Sequence, residues 1–322
     1  MLKKGNVIGN TPMIKINYEY KGNRRYVYTK LEYYNLTGSI KDRTVYYIIE
    51  NAIKRGELKE NMPIVEATSG NTGISLSAIG ALYNHPVYIF MPDWASKERV
   101  SIMKVYGATV KLISKEEGGF FKCIEEARKL AEEKNGFLAN QFSNKDNMLA
   151  HYETTAPEII EQSTEELYGF VSGVGTGGTL MGTGMKLKEE YKNLKIVAIE
   201  PDKMPIISQG RKIAQHKIEG IGDDFVPELL DKSKIDDVIL VNDDDAINMS
   251  RKLARELGLG VGISSGANFI GAILLEEKIQ KPVVTIFVDD NKKYVSTDLC
   301  KETNEKEEYI SSDIKLIDYK IM

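Results

Sequence analysis

The chain has 322 residues, 42% of them apolar and 28% charged, and 43 Lys plus Arg against 47 Asp plus Glu leave a formal charge of −4. At roughly 100 to 200 residues per domain, that is length for two domains with real cores, and the composition excludes disordered, collagenous and disulfide-scaffold classes. The balance lacks the basic excess of a nucleic-acid binder, and the most apolar stretches, 87–91 and 283–288, are strand-sized rather than the roughly 18 residues of a membrane span.

Met1 to Lys4 lead into Gly5, Asn6, Gly9 and Asn10 instead of the apolar core of a secretory signal. Residues 44–55 place Val45, Ile48, Ile49, Ala52 and Ile53 at helical spacing. A strand over 64–67 then leads into an apolar helix over 74–82. Strands follow at 87–91 and 109–113, an amphipathic helix at 123–133, and further strands at 169–172, 195–200, 238–241 and 283–288. Most of these strands read as buried on both faces. Short β-branched runs alternating with helical segments give an α/β class with mostly parallel sheets covered by helices. Residues 301–308 are dense in charge, and 307–322 mix apolar and polar residues as a docking tail does. Cys123 and Cys300 are the only cysteines and form no CxxC, so a reducing cytoplasm is the expected home.

Four stretches carry chemistry-bearing residues. Thr37-Gly38-Ser39-Ile40-Lys41-Asp42-Arg43 delivers Lys41 to a helix start. The electropositive end of a helix disfavours an ammonium relative to a neutral amine, a setting for a nucleophilic or Schiff-base lysine; a solvated surface lysine fits the same residues. Glu66-Ala67-Thr68-Ser69-Gly70-Asn71-Thr72-Gly73 lies between a strand and a helix. Its hydroxyls and amide suit a carboxylate or phosphate, or equally a helix capped by Asn71 or Thr72. Ser172-Gly173-Val174-Gly175-Thr176-Gly177-Gly178-Thr179 concentrates glycines that packing alone does not explain. A phosphate nest is the better reading, although Gly173, Gly175 and Gly178 also satisfy a dinucleotide fingerprint, with Glu200 closing a later strand. Gly262-Ile263-Ser264-Ser265-Gly266-Ala267 is a small-residue turn. His85, His151 and His216 lack ligand spacing, so no metal site is expected.

Together and in this order, the four stretches resemble the cysteine synthase and cystathionine β-synthase family of fold-type II pyridoxal-phosphate enzymes. Ile8-Gly9-Asn10-Thr11-Pro12, Met91-Pro92, Tyr106-Gly107-Ala108, Asn140-Gln141-Phe142, Gly220-Ile221-Gly222 and Tyr294-Val295-Ser296-Thr297 add to the resemblance, which spans about residues 5–300. It implies a tryptophan synthase β-like fold of two α/β domains: a smaller mobile one at 40–145 and a larger one from 1–39 and 146–322. It implies pyridoxal 5′-phosphate as cofactor, an amino acid as substrate and a homodimer. Lys41 matches the Schiff-base lysine and the base for the substrate α-proton. Gly175, Thr176, Gly177, Gly178 and Thr179 match the phosphate loop, Asn71 the contact to the pyridoxal 3′-oxygen, and Ser264 the partner of the pyridine nitrogen. Thr68, Ser69, Thr72 and Gln141 match the pocket for the substrate α-carboxylate. A neutral serine opposite the ring nitrogen makes a milder electron sink than a charged partner.

The implied reaction is β-replacement or β-elimination on cysteine or an activated serine through α-aminoacrylate. Two departures bear on substrate. Asn35-Leu36 replaces the usual Asn-Pro, with no evident chemical meaning. In Gly220-Ile221-Gly222-Asp223-Asp224-Phe225, an acidic pair stands where cysteine synthases usually carry small apolar residues or glycine. Asp223, with Asp224 as its fallback, is expected to serve as a base near the substrate β-carbon and to favour hydrogen sulfide release from cysteine; a solvated, capped turn is the plainer alternative. O-acetylserine sulfhydrylation is the competing reaction. A nicotinamide oxidoreductase leaves Lys41, the 68–73 stretch and Ser264 without a role, and a non-catalytic cofactor-bearing partner leaves the intact substrate loop unexplained.

Overall fold

The computed structural model describes residues 7–301 and 306–322. Residues 1–6 and the middle of the charge-dense run at 301–308 lie outside the described residues. The chain opens with strands β1 (Met13–Tyr20) and β2 (Asn23–Leu31) and helix α1 (Lys41–Arg55). It continues through β3 (Ile64–Ala67), α2 (Asn71–Leu82), β4 (Val87–Pro92), α3 (Lys97–Val105), β5 (Thr109–Ile113), α4 (Gly119–Glu133) and β6 (Phe137–Leu138). Helices α5 (Lys145–Ala150) and α6 (Ala156–Gln162), β7 (Gly169–Gly173), α7 (Gly178–Glu190), β8 (Lys195–Pro201) and the short α8 (Ile206–Gln209) follow. The rest is β9 (Asp237–Val241), α9 (Asp243–Leu257), α10 (Ile263–Ile279), β10 (Val283–Phe287), α11 (Ile310–Asp313) and β11 (Ile314–Ile321). Among the described residues, no helix is long and apolar enough to cross a membrane.

The strands form two sheets, one of order β5-β4-β3-β6 and one of order β11-β1-β2-β10-β7-β8-β9. The smaller sheet is parallel throughout, as is the β2-β10-β7-β8-β9 part of the larger. The α/β class with mostly parallel sheets is as expected. Most of the expected strands are buried, as read from the sequence; the edge strands among them are the exceptions, β5 largely open to solvent and β9 half-buried. Helices begin a few residues before the first apolar position of their pattern, α1 at Lys41 and α2 at Asn71. Periodicity marks the buried stripe, not the polar first turn. Gly70, with no side-chain bond, precedes α2, so neither Asn71 nor Thr72 acts as its cap.

An antiparallel addition borders the parallel strands. β1 and β2 pair through the Lys21-Gly22 turn, whose residues have φ of 50° and 76°, the left-handed geometry of a tight hairpin. β11 returns from the far end of the chain to pair with β1, from Ile14 with Ile321 to Tyr20 with Ile314. The tail thus docks as an edge strand.

Two residues beyond Lys41, the Arg43 side chain is almost completely buried. Its Nε and Nη2 donate to Glu32 at 2.6 and 2.8 Å, and Nη1 and Nη2 donate to Glu158 at 2.6 and 2.7 Å. Glu32 also accepts from Thr11 Oγ1 at 2.7 Å and Asn35 Nδ2 at 2.8 Å, while buried Lys30 pairs with Glu158 at 2.8 Å. The cluster ties the first turn of α1 to the hairpin and to α6. Although burial opposes ionisation, Arg43 and its neighbours hold the Glu32 and Glu158 carboxyls below their ordinary value of 4.5.

Removing one member strands its partners. Arg43→Leu should therefore destabilise the fold by about 3–5 kcal/mol, measured by denaturant unfolding at neutral pH. Because both carboxyl values are depressed on folding, this stabilisation is present above pH 4.5 and lost as pH falls through the folded values. The gap between wild type and variant should close in acid; an unchanged gap would contradict the role given to the cluster.

Candidate active site

The turns after β3 and β7 and the start of α1 converge between the two sheets, where strand ends leave backbone groups free for a ligand. Lys41, Thr68, Ser69, Asn71, Thr72, Gln141, Gly175, Thr176, Asp223 and Ser264 line one cleft there. It shares Ser69, Glu219, Gly220, Ile221 and Asp223 with an adjoining cavity of about 630 Å³. Gly177, Gly178 and Thr179 continue the 173–178 turn into α7.

That turn is shaped by close approaches. A Cβ on Gly175 would stand 2.4 Å from the Gly220 carbonyl oxygen, and one on Gly178 would stand 2.2 Å from Asn147 Oδ1. Bare backbone is required at both, and the first N–H groups of α7 have no partner within the helix. Thr176 Oγ1 accepts from Asn147 Nδ2 at 2.9 Å, and the same amide group donates to the Gln141 carbonyl at 2.8 Å. Asn147 Oδ1 accepts from Thr44 Oγ1 at 3.1 Å. Asn147 therefore binds the glycine turn, the Gln141 loop and α1 into one unit. No motif in the sequence marks it.

The 68–72 turn is braced from behind. Thr72 Oγ1 donates to Gln141 Oε1 at 2.6 Å, and Gln141 Nε2 donates to the Ala67 carbonyl at 3.2 Å. Buried Glu66 accepts from the Ala67 and Gln141 amides at 2.8 and 3.1 Å, and burial pushes its carboxyl up to about 7. Asn71 Nδ2 donates to Asp289 at 2.8 Å, while Asn71 Oδ1 is buried with no partner. Ser69 and Ser264 both border the cleft, and Ser264 sits in the first turn of α10.

Charge is set by burial. It pushes the Lys41 amine down to about 8, against the pull of Asp223. It also pushes the half-buried Asp223 carboxyl up to about 6, helped by Asp224 and opposed by Lys41. The two acidic neighbours part company: Asp223 faces the cleft, whereas exposed Asp224 lies 3.5 Å from Lys212. An amine and a carboxylate that both titrate near neutrality in one cleft can exchange protons with a substrate.

The histidines have structural partners. His85 Nδ1 donates to the Met62 carbonyl at 2.9 Å and His216 Nε2 to the Gly222 carbonyl at 2.8 Å. Buried His151 lies 3.0 to 3.2 Å from the hydroxyls of Thr155, Thr44 and Thr179. Burial and the nearby Lys41 and Arg43 charges hold it well below its ordinary value, hence neutral. Arg99 and Glu219, absent from any motif reading, also border the cleft. Each is a single polar residue whose significance depends on a partner distant in sequence.

A family model for pyridoxal-phosphate dependent enzymes matches residues 5–289. The chain is 41% identical over 296 residues to the cysteine synthase of Staphylococcus aureus (strain Mu50 / ATCC 700699), covering 91% of this chain and 95% of that one. Its structure is similar to that of the hydrogen sulfide-producing enzyme from Fusobacterium nucleatum, with 49% identity and a TM-score of 0.95 over 98% of this chain and 97% of the other. Cysteine synthase from Entamoeba histolytica superposes with a TM-score of 0.88 at 38% identity, over 97% of this chain and 94% of that one.

The donor set fits the cofactor of that family. Asn71 Oδ1 is a buried polar atom wanting a partner, and the turn at 175–178 offers amides beside positions that admit no side chain. The chemistry common to these relatives is β-replacement or β-elimination on an amino acid. The chain belongs to the pyridoxal-phosphate dependent enzymes.

Proposed function

We propose that this enzyme releases hydrogen sulfide from cysteine, with water or a thiol taking the place of the departing sulfur. The observation that carries the reading is Asp223, a half-buried carboxylate facing the same cleft as Lys41. The likeness to the hydrogen sulfide-producing enzyme supports it. An ionised carboxylate at this place repels incoming hydrosulfide, which is anionic, but accepts a proton from water or a neutral thiol. O-acetylserine sulfhydrylation is the competing reading, favoured by the likeness to the cysteine synthases.

In this reading Lys41 anchors the cofactor aldehyde, the 175–179 turn holds the phosphate, and Asn71 and Ser264 hold the ring. When bound, the cofactor withdraws electrons from the substrate α-carbon, so that the α-proton and the β-substituent can leave. Thr68, Ser69, Thr72 and Gln141 hold the α-carboxylate and so orient the substrate. The Lys41 amine takes the α-proton, the Cβ–S bond breaks, and sulfur leaves as sulfide. Asp223 takes a proton from water as the water oxygen bonds to Cβ and passes that proton to the departed hydrosulfide, and Lys41 returns its proton to Cα. The balance is cysteine plus water giving serine plus hydrogen sulfide. We further propose that residues 40–145 move as a unit against the rest, and that the enzyme works as a homodimer in the cytoplasm.

Borohydride treatment of wild type should fix a pyridoxyl group covalently on Lys41, found by peptide mass spectrometry. Lys41→Ala should carry none and turn over no substrate. A fixed group elsewhere on that variant would reassign the anchor.

Gly177 has φ of 84°, so Gly177→Asp combines backbone strain with a carboxylate among amides meant for phosphate. It should lose cofactor on dialysis while keeping its far-ultraviolet circular dichroism. Normal occupancy after dialysis would remove the phosphate role of the turn.

With Asp223 as base, turnover of cysteine should fall as pH drops through an acid limb near pH 6. Asp223→Asn should remove that limb and lower kcat about 10²- to 10⁴-fold. Product analysis with cysteine and with O-acetylserine plus sulfide tests substrate choice. Rapid cysteine synthesis without sulfide release from cysteine would favour the competing reaction.

A further inference from the structure

Asp223 lies in the middle of a segment, residues 219–225, that crosses between the two halves of the molecule and is fixed at three points. At one end, Glu219 forms an ion pair with Arg99 of α3, a helix beside the smaller sheet. At the other end, the Phe225 ring packs on Phe142 with centroids 5.1 Å apart, and Phe142 directly follows Gln141. Between them, the Gly222 amide donates to the Val174 carbonyl at 2.9 Å, at the mouth of the glycine turn.

The Arg99 end is a built anchor. Its side chain is 3% exposed, its guanidinium carbon lies 4.7 Å from the centre of the Tyr294 ring, and its Nε is buried without a partner. A guanidinium so enclosed has strong need of a carboxylate, and among the described residues Glu219 supplies it. The seat beneath is rigid. Tyr294 donates to Asp289 at 2.8 Å, which also receives the Asn71 amide. The neighbouring turn of α3 is tied to the same wall: Glu98 accepts from the Ser296 hydroxyl at 2.7 Å, and Ser96 Oγ donates to the Lys293 carbonyl at 3.0 Å.

We infer that residues 219–225 are a strap pinned across the cleft, and that Arg99, Glu219 and Phe225 are positioning residues that hold the Asp223 carboxylate at the reaction site. This rests on the reading of Asp223 as the base. A general base acts only within hydrogen-bond reach, and a carboxylate on an otherwise irregular segment needs anchors on both sides to stay there. Arg99 and Phe142 belong to the smaller-sheet side, so the strap also completes its geometry only when the two sides stand together.

The test uses the holoenzyme and two variants that leave Asp223, Lys41 and the glycine turn untouched, Glu219→Gln and Phe225→Leu. Each should quicken amide hydrogen exchange across residues 216–225 by about 10-fold. Each should lower kcat for sulfide release by about 10- to 100-fold with little change in KM and an unchanged cofactor absorbance. Asp223→Asn should lose kcat with exchange in the same peptide unaltered. Exchange at the wild-type rate in both strap variants, or quickened exchange without a fall in kcat, overturns the inference. Full kcat in Asp223→Asn instead overturns the reading of the base, and the exchange rates then decide by themselves whether the strap is pinned.

Discussion

A guanidinium sealed from water must be met by carboxylates, and at Arg43 that requirement organises the centre of the molecule. Glu32 from the segment after β2 and Glu158 from α6 converge on it, with Lys30, Thr11 and Asn35 completing the set. Arg43 sits in the first turn of α1, so the same contacts that neutralise it fix the direction in which that helix starts. Lys41 is carried on that turn. A buried ion cluster contributes little net stability against a well-packed apolar alternative. Its value here is orientation, because each charge has several directional partners.

From that anchored turn the site is assembled by backbone proximity. The Gly175 and Gly178 positions admit no Cβ, so the 173–178 turn lies directly against the Gly220 carbonyl on one side and Asn147 on the other. Asn147 in turn holds Gln141 and Thr44. Small residues and one well-placed amide thus bring together a loop from the larger sheet, a loop from the smaller sheet and the lysine-bearing helix. Displacing any one of them disturbs groups on several sides of the cleft.

Burial then sets the proton inventory. An amine lowered to about 8 and a carboxyl raised to about 6 share one cleft. Each is moved toward neutrality by the loss of water and moved back in part by the charge of the other. Asp224, one residue along, lies exposed beside Lys212, which shows how sharply the irregular segment separates two chemically identical neighbours.

Much of this architecture was legible in the amino-acid sequence. The short apolar runs of β3, β4, β7, β8 and β10 announce buried parallel strands because a strand covered on both faces has no polar side to show. Of the small-residue clusters, the one at 173–179 points by itself to a phosphate nest, because so many glycines are a local property of composition that packing does not require; those at 68–73 and 262–267 read equally as turns that start a helix. The strand over Met13–Tyr20, whose positions from Ile14 on alternate between buried and part-exposed, is not among the expected strands, and nothing in the last residues says that β11 will pair with it. Strand pairing is a contact between distant segments, and periodicity records only which face is buried. For the same reason the roles of Arg99, Asn147, Glu219 and Asp289 were decided by the tertiary structure alone. Each is one polar residue of an ordinary type, and its chemistry is fixed by a burial and a partner that no neighbouring residue encodes. The sequence by itself determined which residues could handle a phosphate, a carboxylate and a proton; only the folded chain decided that Asp223 rather than Asp224 faces the cleft, because the turn of the backbone between them is set by contacts on both sides of it.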